Sequence, residues 1–142
     1  MVKIRDNSNS VTVIAHFYNE EYLLPFWLNH HKNIFSHGIL VDYNSTDNSV
    51  KIIKSIVPHW KIISSRNEYF DAIDCDQEVM DIEKSIQGWK IALNITEFLM
   101  TTNLHLILNK YKTYKALSLR SLQVVESRLY ELIPEQISVT TS

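Results

Sequence analysis

Two short polar clusters in this chain carry the residue types that ligand chemistry asks for. The first is Phe17, Tyr18, Asn19 and Glu20; the second is Asp42, Asn44 and Asp47, spaced as Asp-x-Asn-x-x-Asp. A carboxylate such as Asp42 can accept a hydrogen bond from a pyrimidine N–H or from ribose hydroxyls, and Asn19 and Glu20 add an amide and a second carboxylate. Phe17 or Tyr18 offers a flat face on which a base could stack. Each residue also has a plainer reading. Ser45 and Asp47 suit a turn and a helix N-cap, and Phe17 and Tyr18 suit core packing. For Asp42 both readings stay open, because a carboxylate at the end of a buried strand is costly unless something donates to it.

Other chemistries find less support. Of the six histidines, His30 and His31 are adjacent and point to different helix faces, and no His-Glu-x-x-His pairing exists. His31 falls on an apolar stripe and reads as a core histidine, while His30 and His37 read as surface residues. No Gly-x-Ser-x-Gly elbow is present, so a serine nucleophile is not indicated. With only Gly38 and Gly88, the chain lacks a glycine-rich phosphate loop. Cys75 is the single cysteine, which excludes a disulfide framework and fits a reducing compartment.

Both clusters need elements to position them. Residues 11–15 form a β-branched run without alternation, as in a strand buried on both faces. Residues 16–19 are the loop at its end, and a helix begins near 21–25. Leu24, Trp27, Leu28, His31 and Phe35 supply its inward stripe, and Gly38 stops it. Residues 39–41 form a second strand that ends at Asp42. A second helix places Val50, Ile53, Ile56 and Val57 inward and stops at Pro58, before a third strand at 60–64. Beyond a loop at 66–73, a helix is expected over 74–86, then a fourth strand at 89–93 and a further helix through Leu104, Ile107 and Leu108. A fifth strand is expected within 117–125.

This alternation predicts an α/β fold with a mostly parallel Rossmann-like sheet flanked by helices and right-handed crossovers; the strand order we expect is 3-2-1-4. Residues 1–10 read as a flexible lead-in, 11–126 as the domain and 127–142 as a tail or short helix. The chain has 142 residues, 45% of them apolar and 21% charged, which describes an ordinary globular domain. Its net charge of −2 argues against nucleic acid as a partner. Seven acidic residues fall between Glu68 and Glu83 without a Lys or Arg before Lys84, which suits a solvated helix face or a hydroxyl-rich ligand. No apolar run is long enough to span a bilayer and no secretory leader is recognisable, so a cytoplasmic location is expected. On the same ground the sequons at Asn44 and Asn94 read as chance matches.

The segments HFYNEEYLLPFWLNHH, GILVDYNSTDNS, DCDQEVMDIE and GWKIALNITEFL occur in an order and spacing that resembles the family 2-like glycosyltransferases of the A-type nucleotide-sugar fold. The similarity covers roughly residues 11–100. It implies that a nucleoside-diphosphate sugar is bound and its sugar transferred to an acceptor hydroxyl, with neither sugar nor acceptor specified. It places the base and ribose at the end of the first strand, His16 to Glu20 (with Phe17, Tyr18, Asn19 and Glu20 as nucleotide contacts), and at Asp42, Asn44 and Asp47, and an acidic patch near the donor sugar at Asp74, Asp76 and Glu78. Such enzymes carry an Asp-x-Asp after the fourth strand to hold Mn2+ or Mg2+ on the diphosphate. Here the matching place reads Asn94, Ile95, Thr96, Glu97, with Glu97 as the one carboxylate in reach. Asn94 and Thr96 are neutral, so metal dependence and catalysis are the points where the chain departs from that pattern. Two alternatives follow: a non-catalytic nucleotide-sugar-binding module, or an interaction protein whose partner is a second copy or another chain.

Overall fold

The structure, a computed structural model, describes residues 10–123 and 140–141. Its elements alternate as expected: β1 (Val11–Phe17), α1 (Leu24–His31), β2 (His37–Asp42), α2 (Ser49–Ile56), β3 (Lys61–Ser64), α3 (Ala72–Ser85), β4 (Trp89–Ala92) and α4 (Leu104–Lys110). The four strands form one all-parallel sheet in the order β3-β2-β1-β4. The class is therefore α/β, with a Rossmann-like sheet flanked by helices.

β1 is the central strand and its burial follows from its composition. Val11 through Ala15 are all buried, and β-branched residues fill the space between two helical layers. The right-handed crossover rule places α1 and α2 on one face, since β1, β2 and β3 advance in one direction. The return from β3 to β4 reverses that direction and puts α3 on the other face. α1 docks through Leu24, Trp27, Leu28 and His31, all buried, and Phe35 just beyond it is buried too. α2 contributes Ile53, and Val57 follows it into the same core. On the α3 face, Val41, Tyr43 and Cys75 form a cluster backed by Ile63 and Ile82.

Gly38 opens the space for Trp60: a Cβ at position 38 would stand 2.2 Å from the indole Cε3. Its role is thus close approach within β2, and it does not stop the helix as expected: α1 ends at His31 with Lys32 as its C-cap, well before Gly38. Gly88 has φ of 87° and makes the turn from α3 into β4.

The sheet departs from expectation at its end. The strand expected within 117–125 appears as β5 (Arg120–Ser121), which pairs antiparallel with β6 (Thr140–Thr141) and does not join the parallel sheet. The described residues fall into two compact units, one ending at Lys110 and the other beginning at Tyr111. The lead-in at 1–9 and most of the expected tail lie outside the described residues. Among the described residues no helix is long and apolar enough to cross a membrane.

Candidate functional site

In an open parallel sheet the connections on either side of a reversal in strand order diverge, leaving a crevice beyond the carboxyl ends of the strands. Here that reversal lies between β1 and β4. Phe17 and Asp42 sit in register at the ends of β1 and β2, so the two polar clusters singled out above meet at one edge.

Much of the polar chemistry there is spent on the protein itself. Asn19 adopts the left-handed conformation, with φ of 50°, and its side chain reaches across to the loop after β2. Its Oδ1 accepts from the backbone N–H groups of Thr46 at 2.7 Å and Asp47 at 3.3 Å, and its Nδ2 donates to Thr46 Oγ1 at 3.2 Å. The backbone N–H of Asn19 donates to Ser45 Oγ at 3.0 Å. The following residues continue the stitching. Glu20 N–H donates to the buried Ser49 hydroxyl at 2.9 Å, and Glu21 N–H to Asp47 Oδ2 at 3.1 Å. Glu21 in turn accepts from the Asn48 backbone and side chain, both at 3.0 Å.

Asp47 is not the N-cap of α2, which is Asn48; from the residue before that cap it accepts from Ser49 N–H at 2.9 Å. Burial alone would raise its carboxyl, but the hydrogen bonds from Ser49 and Glu21 prevail and hold it below the usual carboxylate range. Asn19 and Asp47 therefore lock two loops together. The amide and carboxylate that looked available for a ligand are engaged.

Asp42 is different. It is half-buried, its Oδ1 accepts from Ser45 N–H at 2.8 Å, and nothing among the described residues donates to its Oδ2. Asn44, with φ of 59°, is exposed in the same turn, a conformation that asparagine tolerates better than most residues. The Glu20 carboxylate is half-buried and has no partner among the described residues. Of the two aromatic candidates, Phe17 is 2% exposed and belongs to the core, whereas Tyr18 is 57% exposed and keeps a free face.

The acidic segment divides in the same way. Asp74 and Asp76 are exposed on α3, while Glu78 is buried at 5% exposure. Glu78 accepts from Ser65 Oγ at 2.7 Å, Arg66 N–H at 2.8 Å, and Tyr43 Oη and Asn67 Nδ2 at 3.2 Å each. Four donors satisfy one buried carboxylate and tie α3 to the loop after β3. The sequence signal was there: Cys75, Glu78, Val79, Ile82 and Ile86 repeat at i, +3, +4, +7 and +11, so Glu78 falls on the inward stripe. Burial pushes the neighbouring Tyr43 phenol and Cys75 thiol up from their ordinary values. It also lowers the His16 imidazole, against the pull of Asp76 and Glu78, so that His16 favours its neutral form.

After β4, Glu97 Oε2 accepts from Asn94 N–H at 2.7 Å and closes its own turn. Asn94 and Thr96 are exposed and neutral. Among the described residues no three His, Cys, Asp or Glu side chains converge as a group able to hold a metal ion. A hard cation takes six or more oxygen ligands with carboxylates prominent among them. This turn supplies one carboxylate, with Oε2 held by Asn94 N–H and no donor on Oε1 among the described residues, so its residues do not by themselves make a complete cation site.

The turn is held from α1. Trp27 Nε1 donates to Glu97 O at 2.8 Å, His30 Nε2 lies 2.8 Å from Leu99 O, and Leu99 N–H donates to His31 Nε2 at 3.0 Å. His31 Nδ1 lies 2.9 Å from Trp27 O, which fixes the tautomer: Nδ1 donates and Nε2 accepts. Burial, with the charge of His30 adding to it, lowers His31 to about 4. His31 is the satisfied core histidine expected from its stripe. His30 is half-buried and bonded rather than on the surface, a role that adjacency to His31 alone did not signal.

No family model matches this chain, and no curated protein matches it.

Proposed function

We propose that this chain is a glycosyltransferase-like protein that binds a nucleoside-diphosphate sugar at the carboxyl ends of β1, β2 and β4. The observation that carries the reading is Asp42. It stands at the edge of a four-stranded parallel sheet, with one carboxylate oxygen held by its own turn and the other open to accept from a base or ribose. Asn44 lies two residues on in the same turn, Tyr18 and Glu20 follow Phe17, the β1 residue in register with Asp42, and Asn19 bonded to Thr46 and Asp47 ties the two loops together. The motif resemblance over residues 11–100 supports the same reading.

In the transferase form of this proposal, an acceptor hydroxyl attacks the anomeric carbon as the bond to the diphosphate breaks. A divalent cation, when bound, would stabilise the departing diphosphate. This chain's own part is to seat the nucleoside at that edge. A second reading, non-catalytic donor binding, is favoured by one observation: at the expected metal position Glu97 is the one carboxylate and its neighbours Asn94 and Thr96 are neutral.

A thermal-shift screen with UDP-, GDP-, CDP- and dTDP-glucose, each with and without manganese, separates the readings. Ligand at about 100 times its dissociation constant stabilises a fold by roughly 2.7 kcal/mol, a shift of several degrees for a domain of this size. A shift that needs manganese supports the transferase form; a shift indifferent to manganese supports donor binding without a cation. No shift with any donor contradicts both.

A further inference from the structure

The segment that leads into α3 turns its large apolar side chains outward. Tyr69 is 79% exposed, Phe70 67% and Ile73 78%. Ile73 is followed along α3 by Asp76, Met80 and Glu83 at +3, +7 and +10, on the side opposite the inward stripe of Cys75, Glu78 and Ile82. Met80 is exposed as well. The patch is fixed by its surroundings. The Phe70 ring lies 6.0 Å from His16 and 5.8 Å from Tyr43, and Asp71 caps α3 by accepting from the N–H groups of Ile73 and Asp74. Large apolar side chains clustered on a preorganised surface mark a place where another surface docks. Its rim is acidic: Glu68, Asp71, Asp74 and Asp76 are exposed, and residues 67–83 hold no Lys or Arg.

The same chain carries a segment of the opposite kind. Between Glu97 and Glu126 it has Lys110, Lys112, Lys115 and Arg120 and no Asp or Glu. Lys112, Lys115 and Arg120 are exposed, and so are the apolar side chains of Tyr114 and Leu122 set among them. Residues 114–119 belong to no helix or strand. A basic segment with apolar side chains at intervals complements an acidic rim around an apolar patch. We propose that the patch at Tyr69, Phe70 and Ile73 is a self-association surface that receives residues 112–122 of a second copy, with apolar side chains on the patch and Lys and Arg on its carboxylates. This contact is independent of donor binding at Asp42.

Sedimentation equilibrium of the full chain, from about 1 to about 500 µM, reads the association, and charge reversal tests its partners. Wild type should show a mass that rises with concentration at low salt and falls toward the monomer near 1 M salt, where the Debye length is about 3 Å. Glu68→Lys with Asp76→Lys, and separately Lys112→Glu with Lys115→Glu, should each raise the dissociation constant at least about tenfold, because like charges then face each other. An equimolar mixture of the two variants should recover association, since each then meets its complement. Tyr69→Ser with Ile73→Ser should weaken association too, at an unchanged melting temperature. A monomeric mass at every concentration overturns the assignment. So does association that neither reversal weakens, or a mixture that stays monomeric. If a reversal variant fails to fold, wild-type association that is indifferent to salt overturns it as well.

Discussion

Replacing Glu78 separates a structural carboxylate from a ligand-binding one. Its four hydrogen bonds join β2, through Tyr43, and the loop at Ser65, Arg66 and Asn67 to α3. A hydrogen bond to a charged acceptor contributes about 1.5–3 kcal/mol, and buried donors left without one cost about 1–3 kcal/mol each. The four are coupled, since Asn67 Nδ2 also reaches Tyr43 Oη at 3.3 Å and can partly repair the loss. Glu78→Ala should therefore destabilise the fold by about 3–5 kcal/mol. Glu78→Gln keeps the shape and one oxygen but turns an amide NH2 toward the donors, for a loss of about 1–2 kcal/mol. With a urea m-value of about 1–3 kcal/mol/M, the alanine variant should lower the unfolding midpoint by at least about 1 M. Urea titration followed by far-UV circular dichroism reads this directly. If both variants unfold at the wild-type midpoint and differ only in nucleotide-sugar binding, the account of Glu78 as an internal tie is refuted.

Two further predictions concern the clamps on either side of the crevice. Asn19→Ala loses the bonds to Thr46 and Asp47 and puts a Cβ-bearing residue without a compensating amide at φ of 50°, which should cost about 2–3 kcal/mol; Asn19→Gly should recover about 1 kcal/mol of that, measured by the same urea midpoints. For His31 the folded state holds the imidazole at about 4, below its ordinary value of 6.5, so the unfolded chain binds the proton more readily between those values. The stability it contributes is fully present above about pH 6.5 and is lost as pH falls toward 4, by at most about 3 kcal/mol. Subtracting the pH profile of His31→Gln from that of wild type should isolate this loss, and parallel profiles would contradict it.

The scaffold was legible because it rests on periodicity. The unbroken run at Val11–Ala15 announced a strand covered on both faces, and the stripe from Leu24 to Phe35 named the buried face of α1, His31 included. Parallel strands joined by short helices imply right-handed crossovers, but those rules do not by themselves fix the order 3-2-1-4 that the sheet adopts. The site was harder to read because composition does not say where a polar side chain spends its hydrogen bonds. Asn19 and Asp47 have the residue types of ligand contacts, yet they face each other across two loops separated by more than twenty residues in sequence. Glu78 was read with its acidic neighbours when its spacing from Cys75 and Ile82 placed it inward. The expected strand within 117–125 failed to join the sheet for a related reason: partial alternation marks strand character but names no partner. His16 was legible as part of the strand-end segment that the resemblance assigns to base and ribose, but its packing against Tyr43 and Phe70 was not.

The central claim is that the open oxygen of Asp42 meets a nucleoside. Calorimetric titration of wild type and Asp42→Asn with the four nucleotide-glucose donors tests it most directly, because asparagine retains an oxygen for Ser45 N–H while replacing the open one with an amide NH2. A hydrogen bond to a charged acceptor at about 1.5–3 kcal/mol predicts at least tenfold weaker binding in the variant, at an unchanged urea midpoint. Equal affinity in the two proteins, or no binding of any donor by the folded wild type, would contradict the account.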